Sequence, residues 1–222
     1  MATAVACLGI WGIGLSSALP ASAEPITLVA FGDSLTQGYG LPDGEGLVPQ
    51  LQSWLRDRGH DVVLVNAGVS GDTTAGGLSR IEWTLTPEVQ GMIVALGGND
   101  MLRGIDPAVS RANLDGILTA TEARGVEVLL VGMEAPGNYG PDYKAAFDAI
   151  FPDLAAAHHT LYAESFLSGL SDQPDRETLA QTYLQPDGLH PNPAGVALMV
   201  RSLGPQVEAL LARIDAAPPA SQ

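Results

Sequence analysis

The 222-residue sequence has one cysteine, Cys7, and one lysine, Lys144. If Cys7 leaves with an N-terminal leader, the remaining chain needs no disulfide and offers no thiolate nucleophile. Lys144 does not follow a serine by three residues, so a Ser-x-x-Lys pair is absent as well. Aromatic residues make up only 5% of a chain that is 46% hydrophobic, so the core must be mostly aliphatic. Basic residues are scarce, 10 against 25 acidic ones, for a net charge of −15 and a pI near 4.3. Such a surface repels phosphate backbones and anionic membranes, which argues against a nucleic-acid partner.

Residues 1–23 contain no charged side chain and end in small residues, with Ala21 and Ala23 forming an A-x-A cleavage pattern. They read as a signal peptide of an exported protein, periplasmic or secreted, that keeps no membrane insertion after cleavage. A basic n-region is missing, which leaves room for a start upstream of Met1 or for an N-terminal anchor instead. Residues 24–215 then suit one domain, and 216–222 read as a disordered tail.

Short continuous apolar runs alternate with helix-period stretches, the pattern of strands buried on both faces and covered by helices. The strands are expected at 26–31, 61–66, 91–96, 126–132 and 160–164, and the helices near 46–58, 74–85, 107–124, 141–157 and 193–213. Strands joined by helical crossovers imply a parallel sheet in a three-layer α/β/α sandwich. In such a sheet ligands bind beyond the carboxyl ends of the strands. Those positions hold GDSLTQGYG, NAGVSGDTT and GGND, and a late loop reads PDGLHPN.

Ser34 lies between Gly32 and Gly38, in a turn that lets the backbone approach a substrate. Thr36 stands where a G-x-S-x-G elbow would need glycine. A serine hydroxyl needs a base, and His190, three residues after Asp187 in a stiff Pro- and Gly-rich loop, is the best candidate. The backbone N–H groups of Ser34 and Gly71 and the side-chain amide of Asn99 are candidate oxyanion donors. Each feature has an ordinary reading too: a turn serine, a capping Asp beside a solvated His, a helix N-cap at Asn99. His60, His158 and His159 have no comparable setting and read as surface residues, so no metal and no cofactor is expected.

Taken together, the four segments resemble the four blocks of the GDSL/SGNH hydrolases, from about Ile26 to about Leu210. The resemblance implies a flavodoxin-like, five-stranded parallel sheet of order 2-1-3-4-5. It also implies Ser34 as nucleophile, Asp187 and His190 completing the triad, and Ser34, Gly71 and Asn99 in the oxyanion hole. Within the family the chain is similar to the bacterial periplasmic lysophospholipase, acyl-CoA thioesterase and arylesterase group. GMEAPGNYGPDYKAAF resembles that group's substrate-side loop, which implies substrate contacts from Met133, Asn138, Tyr139 and Tyr143. The expectation is a monomeric serine hydrolase of small acyl esters and thioesters, extending to lysophospholipids. A carbohydrate O-deacetylase on the same fold and a non-catalytic flavodoxin-like binding protein are the alternatives; the absence of G-x-G-x-x-G and Walker A sequences weakens the second.

Export predicts a mature N-terminus at Glu24. Intact mass of protein from the periplasm or medium checks this, and a protein retaining Met1 would contradict it.

Overall fold

Continuous apolar runs form strands where both faces of a sheet are covered, and β1 (Ile26–Gly32) is such a run. Leu28 and Ala30 turn to one core, Val29 and Phe31 to the other. The computed structural model describes residues 24–171 and 175–217. The expected leader and residues 218–222 of the expected tail lie outside the described residues. The chain continues through α1 (Ser34–Gln37), α2 (Leu47–Arg56), β2 (Val62–Gly68), α3 (Thr74–Thr84) and β3 (Gly91–Ala95). Next come α4 (Gly98–Leu102), α5 (Pro107–Ala123), β4 (Glu127–Val131), α6 (Pro141–Asp148), α7 (Ile150–Ala157) and β5 (Leu161–Ala163). The last elements are α8 (Ser168–Ser171), α9 (Arg176–Tyr183) and α10 (Pro193–Ala216). The five strands pair in parallel in the order 2-1-3-4-5, the flavodoxin-like α/β sandwich expected.

On one face α2 packs Leu47, Leu51 and Leu55 against Val196, Met199, Leu203 and Val207 of α10. On the other face α3, α5, α6 and α7 contribute Ile81, Leu114, Ile117, Phe147, Phe151 and Leu154. Both sets recur at the three- and four-residue spacing that keeps side chains on one helix face. No helix among the described residues is long and apolar enough to cross a membrane.

Element ends depart from the sequence expectation where tertiary contacts decide. The single helix expected at 141–157 is two, because Pro152 has no N–H to give to the carbonyl four residues earlier. Helix α10 runs to Ala216, into the stretch expected as tail, since Arg213 pairs with Glu127 and Ile214 packs on the core. Strands β1 and β2 continue past their apolar runs to Gly32 and Gly68, which face each other in register.

Those two glycines bring α1 down onto the sheet. A Cβ at Gly32 would overlap the Thr36 hydroxyl and lie 2.8 Å from the Ala95 carbonyl oxygen. A Cβ at Gly68 would overlap the backbone of Gln37 and reach 2.8 Å from the Thr36 carbonyl carbon. Gly68→Ala should therefore push α1 outward, costing about 1–3 kcal/mol of stability. Thermal melting checks this, and an unchanged melting temperature would show that α1 can yield without strain.

Candidate active site

The helix that follows β1 starts on a side-chain cap. Asp33 is the N-cap of α1, its carboxylate accepting from the Leu35 N–H at 3.1 Å, so Ser34 is the first helical residue. The N–H at that position has no intrahelical acceptor and is available to a ligand. Gly38, with φ of 87°, closes α1 after a single turn in the left-handed region. Arg80 of α3 fastens the strand ends beneath by donating to the carbonyls of Gly32 and Ala67 and to Asp72, with its guanidinium 4.0 Å over the Phe31 ring.

The second segment is a hairpin. Leu184 and Pro191 form an isolated antiparallel bridge, and Asn192 caps α10 by accepting from the Ala194 and Gly195 N–H groups. Between them Asp187 accepts from the backbone N–H groups of Leu189 and His190, each at 3.0 Å. Its other oxygen lies 2.6 Å from His190 Nδ1, and His190 Nε2 lies 3.0 Å from Ser34 Oγ. A carboxylate only accepts, so Nδ1 carries the proton and the Nε2 lone pair faces the hydroxyl. The backbone N–H and imidazole of His190, with the Leu189 N–H, hold the Asp187 carboxyl down to about 2. The Tyr39 ring lies tilted against the imidazole, centroids 4.7 Å apart.

Asn99, in the first turn of α4, gives one amide hydrogen to Asp33 at 3.3 Å, which leaves its second for a ligand. The start of α4 is held by Asp100, wholly buried, which accepts from the Thr74 N–H and the hydroxyls of Thr74 and Ser110. Gly71 turns at φ of 80°, with Arg103 donating to its carbonyl.

Ser34, Gly71, Asn99 and His190 share the wall of one cavity of about 640 Å³, whose apolar side includes Leu35, Met101, Leu102, Phe166, Leu167 and Leu189. That volume suits a small-molecule site, which spans roughly 300–1,000 Å³. Of the expected substrate-contacting residues, Met133 lines this cavity. Asn138, Tyr139 and Tyr143 do not; the Tyr139 and Tyr143 hydroxyls donate to the carbonyls of Leu102 and Ile105 instead. His158 also differs from its expected surface setting, since its ring lies between Asp115 and Glu122 with the side chain 13% exposed. Sequence reasoning assigned nothing to Asp33, Arg80, Asp100 or Ser165–Ser168. The first three stood inside or beside motifs already noticed, whereas the cavity residues after β5 carry no local pattern.

A hydroxyl, an imidazole and a carboxylate in sequence at the carboxyl edge of a 2-1-3-4-5 parallel sheet define a serine hydrolase of the SGNH type. The chain belongs to the GDSL-like lipase/acylhydrolase family, whose profile matches residues 30–198. It is 38% identical over 194 residues to Esterase TesA of Pseudomonas aeruginosa, covering 87% of this chain and 93% of that protein. It is 35% identical over 173 residues to Thioesterase 1/protease 1/lysophospholipase L1 of Escherichia coli K12, covering 77% and 78%. The crystal structure of AlinE4, an SGNH-hydrolase family esterase, superposes with a TM-score of 0.69 at 42% identity, covering 86% of this chain and 99% of that one.

Asp33 and Asp187 titrate in opposite senses. Burial raises the Asp33 carboxyl against the lowering effects of the Leu35 N–H, Asn99 and His190. Its ionised form thus costs folding stability, a cost that grows as pH rises from the ordinary carboxylate range through its raised value. Asp33→Asn should therefore gain stability relative to wild type between pH 4 and pH 7, while losing about tenfold or more in kcat as Asn99 loses its acceptor, an estimate from single oxyanion donors. Melting curves at both pH values and ester kinetics check this. A uniform loss of stability at both pH values would mean that capping α1 outweighs desolvation. For Asp187 the sign reverses: its contribution is complete above 3.8 and is lost as pH falls towards 2.

Proposed function

We propose that this enzyme hydrolyses carboxylic esters and thioesters through an acyl-enzyme on Ser34, with His190 as general base and Asp187 orienting the imidazole. The observation that carries the reading is the run of contacts from Asp187 through His190 to Ser34 Oγ on the wall of an apolar cavity. As Ser34 Oγ attacks the substrate carbonyl carbon, its proton passes to His190 Nε2 and the carbonyl oxygen becomes an oxyanion. The N–H groups of Ser34 and Gly71 and the free amide hydrogen of Asn99 receive that charge. Collapse expels an alkoxide or thiolate, and His190 gives up the proton to it, or to solvent where the leaving group departs as a stable anion, so that Nε2 is again free to act as base. Water then repeats the sequence against the acyl-enzyme, releasing the acid and restoring Ser34.

The names of the relatives, an esterase and a thioesterase/lysophospholipase, support oxygen and sulfur leaving groups alike. The cavity favours acyl chains longer than acetyl over the deacetylase reading. Met133 stands in its wall, while Leu47 is buried in the core and Leu41 packs against it. Residues 1–23 serve as an export leader and the hydrolase domain follows as a monomer.

Ser34→Ala should abolish turnover and labelling by a fluorophosphonate, and undiminished labelling would reject Ser34 as nucleophile. Asn99→Ala should lower kcat by about 10²- to 10³-fold with little change in KM. Each methylene buried in the cavity contributes about 0.8 kcal/mol, so kcat/KM for p-nitrophenyl butyrate and octanoate should exceed that for acetate. A steep fall beyond acetate would favour the deacetylase.

A further inference from the structure

The hairpin that carries Asp187 and His190 has little apolar anchorage. Residues 186–189 are exposed, and within the turn only Pro191 is buried. An imidazole on such a segment keeps its place only if hydrogen bonds fix the backbone on both sides of it. One side chain does this. The amide nitrogen of Gln185 donates to the Tyr39 carbonyl at 2.8 Å and to the Pro191 carbonyl at 3.0 Å. Its backbone N–H donates to the His190 carbonyl at 2.7 Å, and its own carbonyl accepts from the Gly188 N–H at 3.0 Å. Tyr39 is in turn tied to the nucleophile segment, its N–H donating to the Ser34 carbonyl at 3.1 Å.

We propose that Gln185 is a positioning residue for this reaction: it clasps the His190 hairpin to the Ser34 segment and so sets the Nε2 to Oγ distance. Both hydrogens of one amide nitrogen are used, one towards each segment, and no other side-chain chemistry of this length supplies two neutral donors from one atom. The pocket that receives the amide is built for it. Gly40, at φ of 72°, lies where any Cβ would overlap the Gln185 amide oxygen, so the backbone is kept bare at the point of contact. The Tyr39 ring against the imidazole is held by the same clasp, because the carbonyl that Gln185 grips is that of Tyr39. Gln185 touches neither the hydroxyl nor the ring nitrogens, so its effect passes entirely through His190.

The inference rests on the triad reading above, and the experiment separates the two. Gln185→Glu keeps the shape but replaces the one donor nitrogen with an acceptor oxygen that faces two carbonyls, and Gln185→Ala removes the contact. Both should lose about 10- to 100-fold in kcat, the scale expected for a displaced catalytic group, with KM changed less than twofold. Fluorophosphonate labelling of Ser34 should slow in the same proportion. The downfield proton resonance of the His190–Asp187 pair should shift or broaden, and both variants should remain folded by circular dichroism at the assay temperature. Wild-type kcat and labelling rates in Gln185→Glu would overturn the proposal. So would a loss confined to KM, or one that follows the unfolded fraction. If instead Ser34→Ala still labels as wild type does, the triad reading itself fails, whatever the Gln185 variants do.

Discussion

Because Gly32 and Gly68 carry no side chains, the single turn of α1 rests on the ends of β1 and β2 instead of one side-chain layer above them. That approach puts the first helical N–H and the Ser34 hydroxyl at the open edge of the sheet, with β3 delivering Asn99 alongside. Gly32 ends β1, a strand paired on both sides by β2 and β3, and a group set directly on such an element is held more closely than one on a loop. Arg80 adds a second constraint from beneath by donating to the carbonyls of Gly32, which ends β1, and of Ala67, one residue before the end of β2. The Ser34 segment is thus fixed by the fold itself, whereas His190 arrives on a hairpin that must be fastened to it.

Two carboxylates near one imidazole are kept distinct by their surroundings. Asp187 is exposed and accepts three hydrogen bonds from its own hairpin, which hold its carboxyl down to about 2. Asp33 is 5% exposed, and burial raises its carboxyl even though Leu35, Asn99 and His190 all favour its charge. A buried Asp33 that caps α1 and accepts from Asn99 orders at once the two groups proposed as oxyanion donors, the Ser34 N–H and the Asn99 amide, at some expense in folding stability. Conflict between stability and placement of this kind is expected where groups are preorganised for a developing charge.

The sheet was legible in the sequence because its inner strands β1, β3 and β4 are buried on both faces and read as continuous apolar runs; β3, buried at all five positions, is the clearest. What escaped were features too short for a period or decided by distant partners. Helices α1 and α4, of four and five residues, cannot show helical periodicity. Gly32 and Gly68 end the apolar runs, so the strands were drawn too short at the edge where the chemistry lies. The pairing of Asp187 with His190 was legible because its spacing reflects local geometry: the two meet within one hairpin turn. Their contact with Ser34 spans 156 residues and leaves no local trace. Gln185 escaped for the same reason, as its partners are carbonyls, which any residue supplies.

The placement of Tyr139 and Tyr143 outside the cavity has its own physical logic in a chain with so few aromatic rings. Tyr139, Tyr143, Phe147 and Phe151 form a continuous column, with successive ring centroids 4.9, 6.0 and 5.6 Å apart. Its buried end lies under Gly97, immediately before α4, where an added Cβ would come within 3.2 Å of the Phe151 ring. Its exposed end holds the carbonyls of Leu102, the last residue of α4, and of Ile105 beyond it through the two tyrosine hydroxyls. The column therefore brackets the five-residue helix that carries Asn99 and contributes Met101 and Leu102 to the cavity wall. Aromatic rings are rigid and bury a large area for few rotatable bonds, which suits them to bracing a helix too short to hold itself. The segment after β4 thus shapes the cavity in two ways: directly through Met133, and indirectly by fixing α4 from behind.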